Sequence, residues 1–479
     1  MLELLTDLIA VADGRVSYAE ARHVSDRGEG LAVRSGEVDD AGSSTTEGIG
    51  VRVRVGGGWG FAATGDATRA GAEAALAQAI AIAEAQPSVG IPTELAPVAP
   101  ARGHWASPCA IDPFTISIEE KLALLSEIEA ALRGDPRVVR TVASCLSRRV
   151  EKAFASTEGA AFTQVVVQCG GGIQAIAAGD DEVQVRSYPL AHGGDVAAAG
   201  WEQMLALDLR EQAPRIAAEA VELLTAPPCP EGVRTIVLHG EQLALQTHES
   251  IGHALELDRI LLGEASYAGT SWVGSRDAGT LRYGSDLLNV TADATSPGGL
   301  GTFGWDDEGV AAKRTPLIER GILQATLCNR ESATTVGLGE SGGCARADGF
   351  SRQPIVRMTN VNVEPGDAGT LADLLADTGE GLWFETNRSW SIDDRRLQFQ
   401  FATEICREIT GGELGRLYRN GSYAGITPEF WGSMDAICSA SEWRLWSLLN
   451  CGKGEPGQVM EVSHGAAPAR FRDVQVGVA

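Results

Sequence analysis

A chain of 479 residues is too long for one compact core, so two or three domains are expected. Its 64 acidic and 39 basic residues give a formal charge of −25, which argues against a nucleic-acid partner because phosphate backbones would repel it. The apolar share of 44%, with 58 glycines and 19 prolines, is typical of a globular protein with many turns.

The sequence predicts a cytoplasmic protein without a membrane span. The N-terminus carries acids where a signal peptide would carry Lys or Arg. No run of about 20 apolar residues is present, as a membrane helix would require. The nine cysteines are odd in number and scattered from Cys109 to Cys451, unlike the disulfide framework of a small secreted domain.

The first expected domain, residues 1–86, reads as strands followed by a helix. Apolar residues alternate with Gly and Arg from Ile49 to Val55, the period of a half-buried strand. The Ala-rich run from Thr68 to Ala85 favours a helix. A linker is then expected at the four prolines Pro87, Pro92, Pro97 and Pro100.

The second expected domain spans residues 104–226. Ser117 and Glu120 form a capping-box pattern at the start of a helix. A second helix is expected from Trp201 to Leu224, with Pro214 kinking or dividing it. The segments between are strand-like and joined by short links, which predicts an antiparallel sheet: Val138 to Val150, Thr163 to Cys169, and Val183 to Tyr188.

The third expected domain, residues 231–479, begins with a strand from Arg234 to Leu238 and a helix from Gly240 to about Leu257. Short β-like segments follow. The predicted class is α+β, with antiparallel sheets and packed helices. N-terminal α/β units would precede a larger, mostly β catalytic domain. The segment from Arg357 to Val363 is a candidate exposed strand edge for pairing with an extended peptide.

One segment carries chemistry, the run from His248 to His253 with Glu249 beside the first histidine. Imidazole is a good zinc ligand, and a metallopeptidase keeps its general base at the position of this Glu. The histidines are five residues apart, so on an ideal α-helix their rings would be about 140° out of register. They converge only if the helix is overwound, ends or carries a π-type bulge, and Gly252 is where such a distortion is expected.

A catalytic zinc site needs a third protein ligand. From the residues alone several candidates stay open: Glu256, Asp258, His239, His464 and the cysteines. Cys451 is the most suggestive cysteine, since the neighbouring Lys453 would favour a thiolate. The competing interpretation of Cys451 is a buried thiol in a turn.

The segment from His248 to His253 resembles the HExxxH motif of the TldD/PmbA metallopeptidase family, and Cys451-Gly452-Lys453 resembles its late Cys-Gly-Lys signature. Four further matches are spread along the chain: Gly50-Val51-Arg52, Trp59-Gly60-Phe61, Asp306-Asp307-Glu308-Gly309 and Arg357-Met358-Thr359-Asn360. The first departs from the family's Gly-x-x-Arg pattern by one residue.

The resemblance implies the metal-binding, TldD-like kind of this family. It makes His248, His253 and Cys451 zinc ligands and Glu249 the base that activates a zinc-bound water. It implies hydrolysis of unfolded or small peptides by a dimer, either a homodimer or a heterodimer with a metal-free PmbA/TldE-like subunit. The loop after Cys451 is longer than the family's, which leaves His464 as a rival ligand.

Two other functions compete with this hypothesis. One is a non-catalytic peptide-binding or assembly protein with a structural histidine pair. The other is a zinc amidohydrolase acting on a non-peptide amide. The run Asp306-Asp307-Glu308 also has three interpretations: a second cation site, a solvated turn, or the favoured one, a group that orders loops near the site.

Overall fold

The computed structural model describes residues 1–86, 94–264 and 269–478. Pro87 and Pro92 of the predicted linker lie outside the described residues. The fold is α+β, as predicted, and most of its regular structure is strand. No helix in the described ranges has the length and apolar character needed to cross a membrane.

The N-terminal half is built on one eight-stranded sheet of order β3-β2-β1-β5-β6-β4, with β7 and β8 also pairing with β6. Its strands are β1 (Tyr18–Arg34), β2 (Glu37–Val55), β3 (Gly58–Thr64), β4 (Arg102–Ala106), β5 (Val138–Ser156), β6 (Ala161–Ala178), β7 (Val183–Tyr188) and β8 (Asp195–Ala197). All pairs are antiparallel except β4 with β6. The predicted antiparallel sheet is confirmed. Strands from both expected N-terminal domains share it, and the boundary between those domains stays a prediction.

Five α-helices and one 3₁₀ turn (Pro113–Thr115) accompany this sheet: α1 (Leu2–Ala12), α2 (Arg69–Ala85), α3 (Ile118–Ala131), α4 (Trp201–Ala206) and α5 (Leu209–Leu223). The capping box of Ser117 and Glu120 forms as predicted. The expected division of the helix at Pro214 is wrong, because Pro214 lies inside α5. The chain turns instead at Asp208, whose φ of 49° is left-handed, a conformation that Asp tolerates better than most residues.

The C-terminal half contains a closed ring of five strands: β9 (Gly232–Leu238), β16 (Gly381–Ile392), β17 (Gln398–Thr410), β19 (Gly421–Ile426) and β23 (Ala469–Val478). Each pairs with the next, and β9 pairs with β16 in parallel to complete the ring. Buried aromatic side chains of these strands stack on one another, among them Phe401 and Tyr423. This packed core supports the segments described next.

The remaining strands are short: β10 (Val290–Asp293), β11 (Arg314–Glu319), β12 (Ile322–Leu323), β13 (Ala345–Arg346), β14 (Ile355–Val356), β15 (Val361–Val363), β18 (Glu413–Tyr418), β20 (Met434–Ile437), β21 (Arg444–Lys453) and β22 (Gln458–Ala466). The helices are α6 (Gly240–Thr247), α7 (Leu257–Ile260), Arg330–Thr335, Leu371–Thr378 and Thr427–Gly432. The predicted exposed edge from Arg357 to Val363 is wrong. Every residue in it is buried, since β10 pairs with β15 on one side and β22 packs against it.

The acidic run from Asp306 to Glu308 joins the two halves. Asp307 accepts hydrogen bonds from Lys152 Nζ of β5 at 2.8 and 3.0 Å, and Glu308 accepts one from Arg52 Nη2 of β2 at 2.9 Å. Asp306 accepts from three backbone N–H groups. All three side chains are buried, so a solvated turn is excluded. Donors from the protein already bind these carboxylates. The run is therefore suited to ordering loops and not to binding a second cation.

Candidate metal centre

A π-turn brings the two histidines of the central motif together. Helix α6 continues as one turn of π-helix from His248 to Gly252, in which the His253 N–H donates to the carbonyl of His248. The imidazole centroids of these histidines are 4.6 Å apart. A side chain at position 252 would place Cβ 2.1 Å from Met358 Sδ, so the turn packs closely only with glycine. The distortion expected at this position is present, and of the three forms considered it is the π-type one.

Cys451 reaches the histidines from the β21–β22 hairpin. It pairs with Met460, and the register shifts between Leu448 and Cys451, which indicates a bulge before the cysteine. Such a bulge re-aims the side chains that follow it. Cys451 Sγ lies 3.5 Å from His253 Nε2. The candidate ligand atoms of His248, His253 and Cys451 all lie within 4.8 Å of one another, and all three residues are buried.

His464 lies behind His248. Its Nδ1 is 2.8 Å from the carbonyl oxygen of Val361, which can only accept, so this nitrogen carries the hydrogen. His464 Nε2 is therefore an acceptor, and it lies 2.8 Å from His248 Nδ1, which must donate. His248 Nε2 is left with a free lone pair. Both nitrogens of His464 are used in this relay, so the structure places it in support of His248 and not in the cluster.

Glu256 orients the second histidine in the same way. His253 Nδ1 lies 2.9 Å from Glu256 Oε2, so the ring donates to the carboxylate and turns its Nε2 lone pair towards Cys451. Arg259 Nη2 and Lys453 Nζ lie 3.0 and 3.4 Å from the same carboxylate. Burial alone would raise the pKa of Glu256, but Lys453, His253 and Arg259 hold it well below its usual range. The carboxylate is ionised and fixes the ring.

The electrostatic setting favours deprotonated ligands. Burial raises the pKa of a thiol, yet His253 and Arg357 outweigh it and lower the pKa of Cys451 below its usual value. Arg357 also donates to the Cys451 carbonyl. Burial lowers the pKa of His248 to about 4 and lowers that of His253 as well. The His248 imidazole is therefore neutral at pH 7, which is the form that binds metals.

Glu249, adjacent to His248 in the π-helical turn, is held by one donor from β16 and one from the turn between β16 and β17. Trp390 Nε1 of β16 donates to one carboxylate oxygen at 3.0 Å, and Arg396 Nη1 donates to the other at 2.5 Å. The Glu249 side chain is buried, while Trp390 is 37% exposed. Glu249 therefore has a fixed orientation next to a tryptophan that opens to solvent.

Two of the other ligand candidates lie in different settings. His239 caps the start of α6, and its ring packs against Trp383 and Trp446. Asp258 accepts from Lys453 Nζ at 2.7 and 2.9 Å. Sequence reasoning missed the roles of Arg396 and Trp390, which are far along the chain from Glu249 and belong to no recognised motif.

Two imidazoles and a thiol thus converge beside a buried carboxylate, a group that could hold a metal ion. Three family models match the chain: PmbA/TldA metallopeptidase domain 1 matches residues 19–83, the central domain residues 111–226, and the C-terminal domain residues 231–478. The chain belongs to the PmbA/TldD metallopeptidase family, as the sequence motifs indicated.

Relatives from archaea support the same assignment. A metalloprotease of Methanothermobacter thermautotrophicus is 31% identical over 365 residues, which cover 76% of this chain and 75% of the relative. A zinc metalloprotease TldD homolog of Saccharolobus solfataricus is 28% identical over 247 residues, 51% of this chain and 52% of the relative. The crystal structure of TldE from Thermococcus kodakarensis shares the fold, with a TM-score of 0.77 and 15% identity over 99% of this chain and all (100%) of TldE.

Proposed function

We propose that this protein is a zinc-dependent peptidase that hydrolyses unfolded or small peptides, with His248, His253 and Cys451 as zinc ligands. The observation that carries the proposal is the convergence of these three buried side chains within 4.8 Å. A zinc metalloprotease among the relatives supports the choice of metal. Two imidazole nitrogens and a thiolate suit zinc and leave one position of a tetrahedral site for water or substrate.

Bound zinc would act as a Lewis acid that polarises the scissile carbonyl and makes water nucleophilic at neutral pH. The protein supplies the orientation of the ligands. The relay from Val361 through His464 presents Nε2 of His248, and Glu256 presents Nε2 of His253. Carboxylate and carbonyl partners of this kind also raise the basicity of a ligating imidazole.

Glu249 is the proposed general base. Its carboxylate accepts a proton from the attacking water and returns it to the leaving amine, which would otherwise depart as an unstable anion. Trp390 and Arg396 hold the two carboxylate oxygens and restrict the group to one orientation. Such positioning favours proton transfer because the base need not reorganise during the reaction.

The burial of the site supports an unfolded or small peptide as substrate. The three proposed ligands are 2–4% exposed, so the surface of a folded protein would not reach them. Strand β21 pairs only with β22 among the described strands, and its residues from Leu448 to Asn450 are half-buried or exposed beside Cys451. The segment from Leu448 to Asn450 is a better candidate for pairing with an extended peptide than the buried segment from Arg357 to Val363.

The proposal includes a dimer in the cytoplasm, either a homodimer or a heterodimer with a metal-free PmbA/TldE-like subunit. The family membership and the fold shared with TldE support an assembly of this kind. All nine cysteines are free thiols, which suits a reducing compartment. Sedimentation of the purified chain tests the dimer: a monomer with full peptidase activity would contradict it.

The catalytic proposal is tested with Glu249→Gln, compared with the wild type and with the exposed control Glu413→Gln. Unstructured peptides are incubated with zinc-loaded protein, and the products are identified by mass spectrometry. Loss of a general base should slow hydrolysis by roughly 100- to 10,000-fold while zinc content is unchanged. Equal activity of Glu249→Gln and wild type would refute the role of Glu249. Cleavage of non-peptide amides alone would favour an amidohydrolase.

A further inference from the structure

A cleft beside the metal centre runs along one face of α6. Glu241, Ala244, Leu245 and His248 follow the spacing i, i+3, i+4 and i+7, which places them on a single helix face. The first three line the cleft, together with His464 behind His248. With a rise of 1.5 Å per residue, Glu241 lies about 10 Å from His248 along the helix. The cleft therefore connects His464 and Trp390, which contact His248 and Glu249, with a carboxylate.

The walls of this cleft are mostly apolar. Leu190 lines it from the loop after β7, and Leu448 and Leu449 line it from the bulged part of β21. Trp390 lies at its mouth with 37% of its surface exposed and donates to Glu249. An exposed indole beside a proposed general base is a suitable surface for an apolar side chain of a bound peptide.

Glu241 is the one acidic residue among those that line the cleft. Its side chain is buried and has no Lys or Arg within ion-pair distance among the described residues. Its only ion pair there is with His239 Nδ1, at 3.8 Å, beyond hydrogen-bond distance. One carboxylate oxygen accepts from the backbone N–H of Thr386. The position in the first turn of α6 stabilises a negative charge through the helix dipole. The carboxylate is thus held in place with its charge not neutralised by Lys or Arg.

We propose that this cleft is a specificity subsite for a peptide that carries an apolar residue next to the cleaved bond and a cationic group about 10 Å away. The inference rests on the proposed peptidase function. In an extended peptide 10 Å is about three residues, so the cation is a Lys or Arg side chain near the cleaved bond or a free N-terminal ammonium. Glu241 would neutralise it inside the cleft, where a charge pair is stronger than in water.

A purely structural role is the alternative, in which Glu241 only holds the Thr386 backbone. Glu241→Gln separates the two, because the amide oxygen still accepts from the Thr386 N–H while the negative charge is lost. A structural role predicts no change in the preference for cations. The exposed Glu413→Gln substitution is the matched control, since it removes one negative charge far from the cleft in sequence.

The test is a series of apolar peptides in which one position at a time is Lys or the uncharged norleucine, each made with a free and with an acetylated N-terminus. For wild type we expect the kcat/KM of a peptide with Lys at one position, or with a free N-terminus, to exceed that of the neutral peptide by roughly tenfold or more. This ratio corresponds to the usual strength of a hydrogen bond to a charged group. Glu241→Gln should abolish this ratio and Glu413→Gln should keep it. A preference for a Lys position identifies a side chain as the cation, and a preference for the free N-terminus identifies the terminal ammonium.

Binding separates failure of this inference from failure of the peptidase proposal. The same peptides, labelled with a fluorophore, are titrated into the Glu249→Gln protein and into the Glu241→Gln/Glu249→Gln double variant, with fluorescence anisotropy as the readout. A preference for cationic peptides that depends on Glu241 supports the subsite even if wild type cleaves nothing. Equal Kd for Lys and norleucine peptides, or a preference that survives in the double variant, would overturn it.

Discussion

Replacing His464 with Leu tests the tautomer relay behind the metal centre. His464 bridges the Val361 carbonyl and His248 Nδ1, with both contacts at 2.8 Å. A Leu of similar volume provides neither hydrogen bond. His248 would then be free to rotate or to change tautomer. Loss of such a supporting partner typically weakens metal affinity 10- to 100-fold, or about 1.4–2.7 kcal/mol. The Val361 carbonyl left without a partner should lower stability by about 1–3 kcal/mol.

Zinc affinity is measured by competition with a chromophoric chelator, and stability by urea unfolding of the metal-free protein. His104→Leu is the control, because His104 is exposed and its ring hydrogen-bonds to Thr163, far from the cluster in sequence. We expect His464→Leu to bind zinc weakly and His253→Ala to lose it altogether. Equal loss in both variants would make His464 a ligand. Unchanged affinity in His464→Leu would refute the relay.

Three further predictions concern the frame of the molecule. Burial raises the pKa of Glu404 from 4.5 to about 7, so the unfolded chain releases a proton that the folded protein keeps. The free energy of unfolding should therefore fall by about 3 kcal/mol as the pH rises through this range. Glu404→Gln should remove this pH dependence in urea unfolding at pH 5 to 8. Arg52→Met leaves two carboxylates buried without their cation. The urea midpoint should fall by an amount equivalent to about 3–5 kcal/mol. An unchanged midpoint would contradict the proposed contact between the two halves. Gly252→Ala should lower the free energy of unfolding by about 1–3 kcal/mol through its clash with Met358. In thermal melts, Met358→Ala in the same chain should recover part of this stability. Unchanged stability of the single variant would contradict the clash.

Local features of the fold were predictable because their cause lies within a few residues. The capping box depends on Ser117 and Glu120 alone, and both of its hydrogen bonds form. The distortion after His248 follows from a five-residue spacing that an α-helix cannot bring into register. The break before α5 was misplaced at Pro214, since the left-handed conformation of Asp208 has no strong sequence signal.

The support of the site was not predictable, because its partners are far apart along the chain. Val361 and His464 are separated by 103 residues, and Glu249 and Trp390 by 141. No periodicity or spacing connects such pairs, and only the folded sheets bring them together. The run from Asp306 to Glu308 shows a related difficulty. Its charge pattern is that of a solvated turn, and its burial depends on Arg52 and Lys152 of a distant sheet.

The most direct test of the central claim is the zinc content of the purified, untagged protein, measured by mass spectrometry for wild type and Cys451→Ala. Cys438→Ala removes another buried thiol outside the cluster and is the control. The His-His-Cys site predicts about one zinc per chain in wild type and Cys438→Ala, and its loss or strong weakening in Cys451→Ala. Zinc retained in full by Cys451→Ala, or no zinc in any of the three proteins after reconstitution, would contradict the assignment.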